Sequence, residues 1–447
     1  MIIIITLRSY FIRLIKIKKH LSLQPLIEGF RSSISTLPDN RRSKSVDYQI
    51  DDTTLSILAC MFYKSSSLLK YQRLMKKRLY KDNLQTQFGV TEIPSDNQIR
   101  TIISSINYNN FQPIFGNYLK RLQRGKHLSK FSFEDKYLVA LDGTQYYSSE
   151  KIHCEECLQK KKRNGKIEYS NQALQSIICH PDQKQIFPLM PEPIKNGDGE
   201  DKQDCEINAA KRFLPKIRSQ HPRMSFIWLA DSIYATKPFI ESITQNDEHY
   251  IFRVKQGDHK YLYECLETCE YNKHKSTMGN TSISYRWYEN VPLNKSSGIT
   301  VTVIKAFTIT KDRDGKQKST IAGFWATNLD VSKTNVAKIT KAARARWRIE
   351  NQCFNTLKNF GYNLAHNWGH QKGISFNFYV LIMLAFYIHQ ILEFTDQLFQ
   401  WCRKRCVTYE DLWDELLGMF KLILFESWEH MLIHCLNNNG IDPPEIV

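Results

Sequence analysis

A chain of 447 residues with 42% hydrophobic content is long enough to bury a sizeable core, and more than one structural domain is the ordinary expectation at that size. Its 62 Lys and Arg against 45 Asp and Glu leave a net charge of +17, spread along the sequence and not confined to one tail. A polyanion is the natural partner, although ribosome-associated and membrane-surface proteins share such a balance; eleven cysteines without a cleavable secretory pattern argue for free thiols in a reducing compartment and against a disulfide framework.

Residues 1–50 read as a basic arm and linker. Met1 to Ile5 is apolar, Arg8, Arg13, Lys16, Lys18 and Lys19 follow, and residues 31–50 carry Ser, Pro, Asp, Asn and Arg with little periodicity. From 51 to about 130 apolar residues recur at helical spacing among Lys and Arg, and Ser95 with Gln98 makes a capping box. This stretch is expected to be a helical N-terminal DNA-binding domain whose basic faces meet phosphates or solvent.

At Tyr137 to Asp142 the pattern becomes a short apolar run, YLVALD, closed by Gly143, as in a buried strand ending in an acid. Strands are expected at Gln172 to Cys179 and Gln185 to Met190, and a helix around Cys205 to Ser219. A second buried strand in MSFIWLAD ends at Asp231, followed by a helix around Pro238 to Ile243 and a strand in YIFRVKQ. Alternating residues between Ser282 and Asn328, with turns at Lys295 to Gly298 and Asp312 to Gly315, predict a β-rich insertion within about 258–330. A helix over Lys333 to Phe360 carries Arg344, Arg346, Arg348, Glu350 and Lys358, and residues 376–447 read as a C-terminal helical region. There the longest apolar run, Phe378 to Ile388, has 11 residues, short of the roughly 20 that span a bilayer, and predicts a buried core helix. The fold class is therefore α/β, a mixed-sheet core over 131–375 with a β-rich insertion, preceded and followed by helices.

Carboxylates avoid the ends of buried strands unless something pairs with them, and divalent cations pair well, so Asp142 in LDGT and Asp231 in LADS are the first two candidate ligands. Taken singly, each is equally well a turn or helix-cap aspartate. A third acid should come from a helix packed beside the strand ends. Glu350, alone among arginines in ARARWRIENQCFNTLKN, fits that role, with Arg346 one turn earlier on the same face; an ordinary i, i+4 salt bridge is the alternative. Three acids are what phosphoryl transfer requires, since two Mg²⁺ ions roughly 4 Å apart flank the attacking and leaving oxygens of an in-line displacement.

Two further clusters stand apart. HCEEC, from His153 to Cys157, with Cys179 and His180, has the makings of a zinc knuckle, but Cys-His in direct succession is awkward for tetrahedral ligation, and structural Zn²⁺ is not expected. Lys160, Lys161, Lys162 and Arg163, with Lys166, read as a basic hairpin tip that follows a DNA backbone or stays solvated. His366 and His370 in HNWGH are expected in a loop with a structural role.

LDGT around Asp142, LADSIYA around Asp231 and RWRIENQCFNTLKN around Glu350, 89 and 119 residues apart, resemble the motifs of bacterial insertion-sequence transposases. This is the DDE group, with a ribonuclease-H-like core shared by retroviral integrases, and the resemblance runs from about Leu55 to Trp428. It implies that Asp142, Asp231 and Glu350 are a catalytic, metal-binding triad for two Mg²⁺ ions, with Mn²⁺ able to substitute. Arg346 corresponds to the arginine of a Tyr, Arg, Glu, Lys signature that contacts DNA phosphates. The tyrosine position holds Ala343 and the lysine position Leu357, with Lys358 adjacent. Arg344, Arg348, Lys161, Lys162 and Arg163 join Arg346 and Lys358 as candidate DNA contacts.

The resemblance further implies double-stranded DNA partners, namely terminal inverted repeats and target DNA, a homodimer on DNA, no membrane, and a nucleoid-associated place in a bacterial cytoplasm. The expected activity is DNA cleavage followed by strand transfer. A catalytically inactive DNA-binding derivative and a purely hydrolytic nuclease are the alternatives.

Overall fold

The computed structural model describes residues 20–37, 41, 47–75, 78–196, 203–278, 281–311, 317–370 and 373–437. Its twelve described strands form one mixed sheet, and the fold class is α/β. The strands are β1 (Ser132–Phe133), β2 (Lys136–Ser149), β3 (Leu158–Lys161), β4 (Ile167–Cys179), β5 (Phe187–Pro188), β6 (Glu192–Ile194), β7 (Phe226–Ala230), β8 (His249–Arg253), β9 (Asn272–Met278), β10 (Thr281–Pro292), β11 (Thr300–Lys311) and β12 (Gln317–Thr327). The main path runs β3-β4-β2-β7-β8-β12-β11-β10-β9, with β5 and β6 on β4 and β1 on β2.

The centre is β2, antiparallel to β4 on one side and parallel to β7 on the other. All five residues of β7 are buried, as suits a parallel strand covered on both faces. β8 continues the parallel set, and β12 returns antiparallel to lead into the β9–β12 meander. The meander is the β-rich segment expected within about 258–330, and it is joined edge to edge with the rest of the sheet. Its turn at Lys295 to Gly298 is present, whereas Asp312 to Gly315 lies outside the described residues. The strand expected over Gln185 to Met190 shrinks to β5, because the neighbouring edge of β4 is shared by β3, β6 and β5 in succession.

The helices before the sheet are α1 (Leu23–Ile34), α2 (Ile50–Phe62), α3 (Leu68–Met75), α4 (Arg78–Phe88), α5 (Asp96–Ser104) and α6 (Gln112–Arg124). The Ser95 and Gln98 capping box is formed at α5. The linker expected over 31–50 starts too early: α1 occupies part of it and of the predicted arm, and Leu23, Leu26, Ile27, Phe30 and Ile34 are core residues. Five apolar side chains on one stripe outweigh the polar run that suggested a linker. Most of the predicted basic arm, residues 1–19, lies outside the described residues.

Between β6 and β9 come α7 (Glu206–Gln220), α8 (Lys237–Thr244) and α9 (Lys260–Thr268). The helix expected over Lys333 to Phe360 is broken. α10 (Val336–Arg344) stops, Ala345 and Arg346 form a turn, a π-turn spans Ile349–Phe354, and α11 (Asn355–Asn359) completes it. The last group is α12 (Ile374–Thr395), α13 (Gln397–Arg405), α14 (Tyr409–Leu422) and α15 (Trp428–Asn437).

By length and composition α12 is apolar enough to cross a membrane, but most of it is buried inside the fold. It lies between the sheet and the N-terminal helices: Asn377 Nδ2 donates to the carbonyls of Ile103 and Ile106, both at 2.8 Å, and Tyr379 donates to Gln175 of β4 at 3.3 Å. Asn83 of α4, fully buried, donates to the Phe420 and Ile423 carbonyls at 2.7 Å each and accepts from Phe425 N at 2.9 Å. The two helical regions, far apart in sequence, thus share one interior.

Candidate active site

In the parallel pairing of β2 and β7 the last partners are Ala140 and Leu229. Asp142 and Asp231 each lie two residues further on, so the register brings both acids to the same end of two neighbouring strands. Asp231 follows the end of β7, while β2 continues past Asp142 on its β4 side alone, which opens the space between them.

Glu350 arrives from the π-turn. Arg346, 6% exposed, reaches Asp142 Oδ2 with Nη1 at 3.2 Å and Glu350 Oε1 with Nη2 at 2.7 Å. One guanidinium therefore spans a strand acid and a helix acid 208 residues apart in sequence. The i, i+4 salt bridge considered as an alternative does exist, but it is one half of a bidentate bridge into the sheet. Asp231 Oδ2 is held by Lys255 Nζ at 2.7 Å, from just beyond β8.

A fourth acid, absent from the sequence reading, joins them. Glu206 opens α7, accepts a hydrogen bond from Tyr234 at 3.1 Å, and lies so close to β2 that a Cβ on Gly143 would stand 2.3 Å from its carboxyl. The glycine of LDGT is explained by this approach. Glu206 was visible only as a first-turn acid of a predicted helix, and nothing in its local sequence tells which strand that helix faces.

Burial, reinforced by the negative charges of Glu206 and Glu350, pushes the Asp142 carboxyl up to about 7 against the pull of Arg346. Burial also raises the Glu206 carboxyl, with a contribution from the Asp231 charge. At Asp231 burial raises the pKa too, but the hydrogen bonds from Lys255 and from Ser232 N–H outweigh it and hold the carboxyl below its ordinary value. The cluster is short of positive charge, and Arg346 and Lys255 supply only part of it.

The residues fit a divalent cation. The donors are all carboxylate oxygens, which suit hard ions such as Mg²⁺ or Mn²⁺. Asp231 Oδ1 is buried with no hydrogen-bond partner among the described residues, the kind of atom a cation satisfies. Asp142, Asp231 and Glu350 would hold such ions, with Glu206 beside them.

The other predicted contacts are placed unevenly. Within the π-turn Asn355 N–H bonds Glu350 O, five residues back, so the helix accommodates one extra residue per turn. Lys358, eight residues after Glu350, consequently takes about the direction that seven residues reach in a regular α-helix, and it is exposed. Leu357 and Ala343, at the signature lysine and tyrosine positions, are core residues. Arg344 is exposed and, with Trp347 and Arg348, lines an open groove against Ser276, Ile283 and Tyr285 of the meander. Arg348 is also a structural tie, donating to Pro181 O at 2.8 Å and to Gln352 at 2.9 Å.

Lys161, Lys162 and Arg163 form the tip of the β3–β4 hairpin, as expected. Lys162, however, is paired with Glu150 at 3.0 Å and Glu168 at 3.1 Å, whereas Lys161 and Arg163 are exposed. The proposed grouping of Cys154 and Cys157 with Cys179 and His180 is not formed. Cys179 is buried at the far end of β4, where its thiol meets Ala345 O, and His370 stands beside the two cysteines in its place. His366 and His370 are in a loop, as expected.

No protein-family model matches the chain, and no match among the characterised proteins was found.

Proposed function

We propose that this chain is a DDE-type transposase with a ribonuclease-H-like core, cleaving DNA at the inverted repeats of its own insertion sequence and joining the freed end to target DNA. The observation that carries the reading is the Arg346 bridge, because it brings Glu350 to Asp142 while the β2–β7 register brings Asp231 to the same end of the sheet. The succession of antiparallel β2 and β4 with parallel β7 and β8 is compatible with such a core.

Bound metal ions would polarise the scissile phosphate and activate the attacking oxygen. The chain's own groups do the rest. Asp142, Asp231 and Glu350 offer oxygens from within β2, from the end of β7 and from one helix, so the ligands keep their places without loop closure. Arg346, which spans Asp142 and Glu350, would turn part of its charge to the phosphate near the cut, and Lys358, Arg344 and exposed Lys161 and Arg163 would steady the DNA backbone. In the first reaction water attacks phosphorus and the 3′ oxygen leaves. In the second that 3′ hydroxyl attacks a target phosphodiester, whose own 3′ oxygen leaves.

The test is a reaction of the purified chain with labelled duplex carrying the inverted repeats that flank its coding sequence, plus supercoiled plasmid, in Mg²⁺ or in EDTA. Labelled ends covalently joined to plasmid, in Mg²⁺ only, are the expected products. Nicking without joining would replace the proposal with a hydrolytic nuclease, and binding without nicking with an inactive DNA-binding derivative.

A further inference from the structure

Away from the carboxylates, Cys154, Cys157 and His370 bring one ligand atom each to within 4.8 Å of one another, although His370 lies 213 residues from Cys157. The two Sγ atoms are 3.5 Å apart, and Cys157 Sγ is 4.0 Å from His370 Nδ1. Tetrahedral zinc, with Zn–S of about 2.3 Å and Zn–N of about 2.0 Å, sets its ligand atoms about 3.5–3.8 Å apart. The cluster has nearly that size, and the sulfurs are too far apart to be bonded to each other.

A second observation concerns what surrounds the sulfur. Cys157 Sγ accepts from the Cys154 backbone N–H at 3.4 Å and from Asn171 Nδ2 at 3.5 Å. Two N–H donors aimed at one buried sulfur suit a thiolate ligand, whose charge they stabilise. The turn between the cysteines is fixed independently: Glu156 accepts from Lys195 at 2.7 Å and from Gly373 N at 2.9 Å, which ties the same two segments together. Tyr147 packs its ring 4.4 Å from that of His370 and holds the imidazole toward the sulfurs.

We propose that Cys154, Cys157 and His370 bind one Zn²⁺ ion, with water in the fourth position, and that the ion fastens the β2–β3 connection to the segment between α11 and α12. This reverses the expectation that no structural zinc is present, which rested on the wrong second pair. The role is structural: the fastened segment follows directly on the helix that carries Glu350, so the metal steadies that helix from behind. The inference is independent of the proposed strand-transfer activity.

The test is metal analysis of the full-length chain purified under reducing conditions without chelator. About one zinc per chain is expected, and near none in Cys157→Ser or His370→Ala. Asp142→Asn should keep its zinc, which separates this site from the carboxylates. Should the variants fail to fold, the wild type decides. Chelation should lower its Tm, Zn²⁺ should restore it, and Co²⁺ in its place should give the thiolate charge-transfer band. Absence of zinc together with absence of a Co²⁺ band, or a Cys154–Cys157 disulfide formed with zinc present, would overturn the proposal.

Discussion

Glu350 accepts a hydrogen bond from Arg346 at 2.7 Å, and the same guanidinium reaches Asp142 at 3.2 Å. A single buried cation thus sets the distance between a sheet acid and a helix acid, and the planar fork of arginine is what permits two carboxylates on one side chain.

Arg346→Lys tests that geometry. Lysine keeps the charge but offers a point donor, so it can hold one carboxylate and not both. Strand transfer is expected to fall by about 10²-fold or more, the order lost with one positioned donor, while affinity for end-bearing duplex stays within a few-fold. A gel-shift titration beside the joining reaction reads both quantities. Equal losses in the two would show Arg346 to be a binding residue only.

Gly143→Ala should be severe for a steric reason. The added Cβ would stand 2.3 Å from the Glu206 carboxyl, which must swing away from Asp142. We expect a folded chain with strongly reduced activity, and Glu206→Gln losing less than Asp142→Asn. Circular dichroism and the joining assay check this pair, and full activity in Gly143→Ala would show that Glu206 has no fixed place beside the triad.

In chelator, stability should depend on the Asp142 proton. Its carboxyl titrates at about 7 in the fold against about 4 in an unfolded chain. The stabilisation is therefore fully present below about pH 4 and lost as pH rises through about 7. Melting curves across that window should show metal-free wild type losing Tm relative to Asp142→Asn, with added Mg²⁺ restoring it at the alkaline end. Parallel curves for the two proteins would contradict the raised carboxyl.

Asn83→Ala strands two carbonyls and one N–H in the interior between α4 and the segment after α14. At roughly 1–3 kcal/mol for a buried group left unpaired, the loss should be several kcal/mol by urea unfolding. A change near zero would mean that the N-terminal and C-terminal helices do not share an interior in solution.

Much of the core and its acids was legible because buried parallel strands write themselves as apolar runs. YLVALD and FIWLAD each close on an acid, and the hydrophobic pattern alone fixes which residues precede it. What was not legible depends on partners distant in sequence. Glu206 needs the packing of α7 on β2, Lys255 needs the β7–β8 register, and His370 needs a loop to return to Cys157. The break before Glu350 was hidden for a different reason: Lys333 to Phe360 contains neither Gly nor Pro, the residues that usually announce a helix break, so the sequence does not mark the π-turn. That turn also gives Lys358 about the direction that a residue one place earlier would take in a regular helix.

The most direct measurement of the central claim is joining of labelled end DNA to plasmid in Mg²⁺ by the wild type, Asp142→Asn, Asp231→Asn and Glu350→Gln side by side. Joined product is expected from the wild type and none from the three variants, each still folded and still binding the ends. Joining that survives in any one of them would contradict the claim.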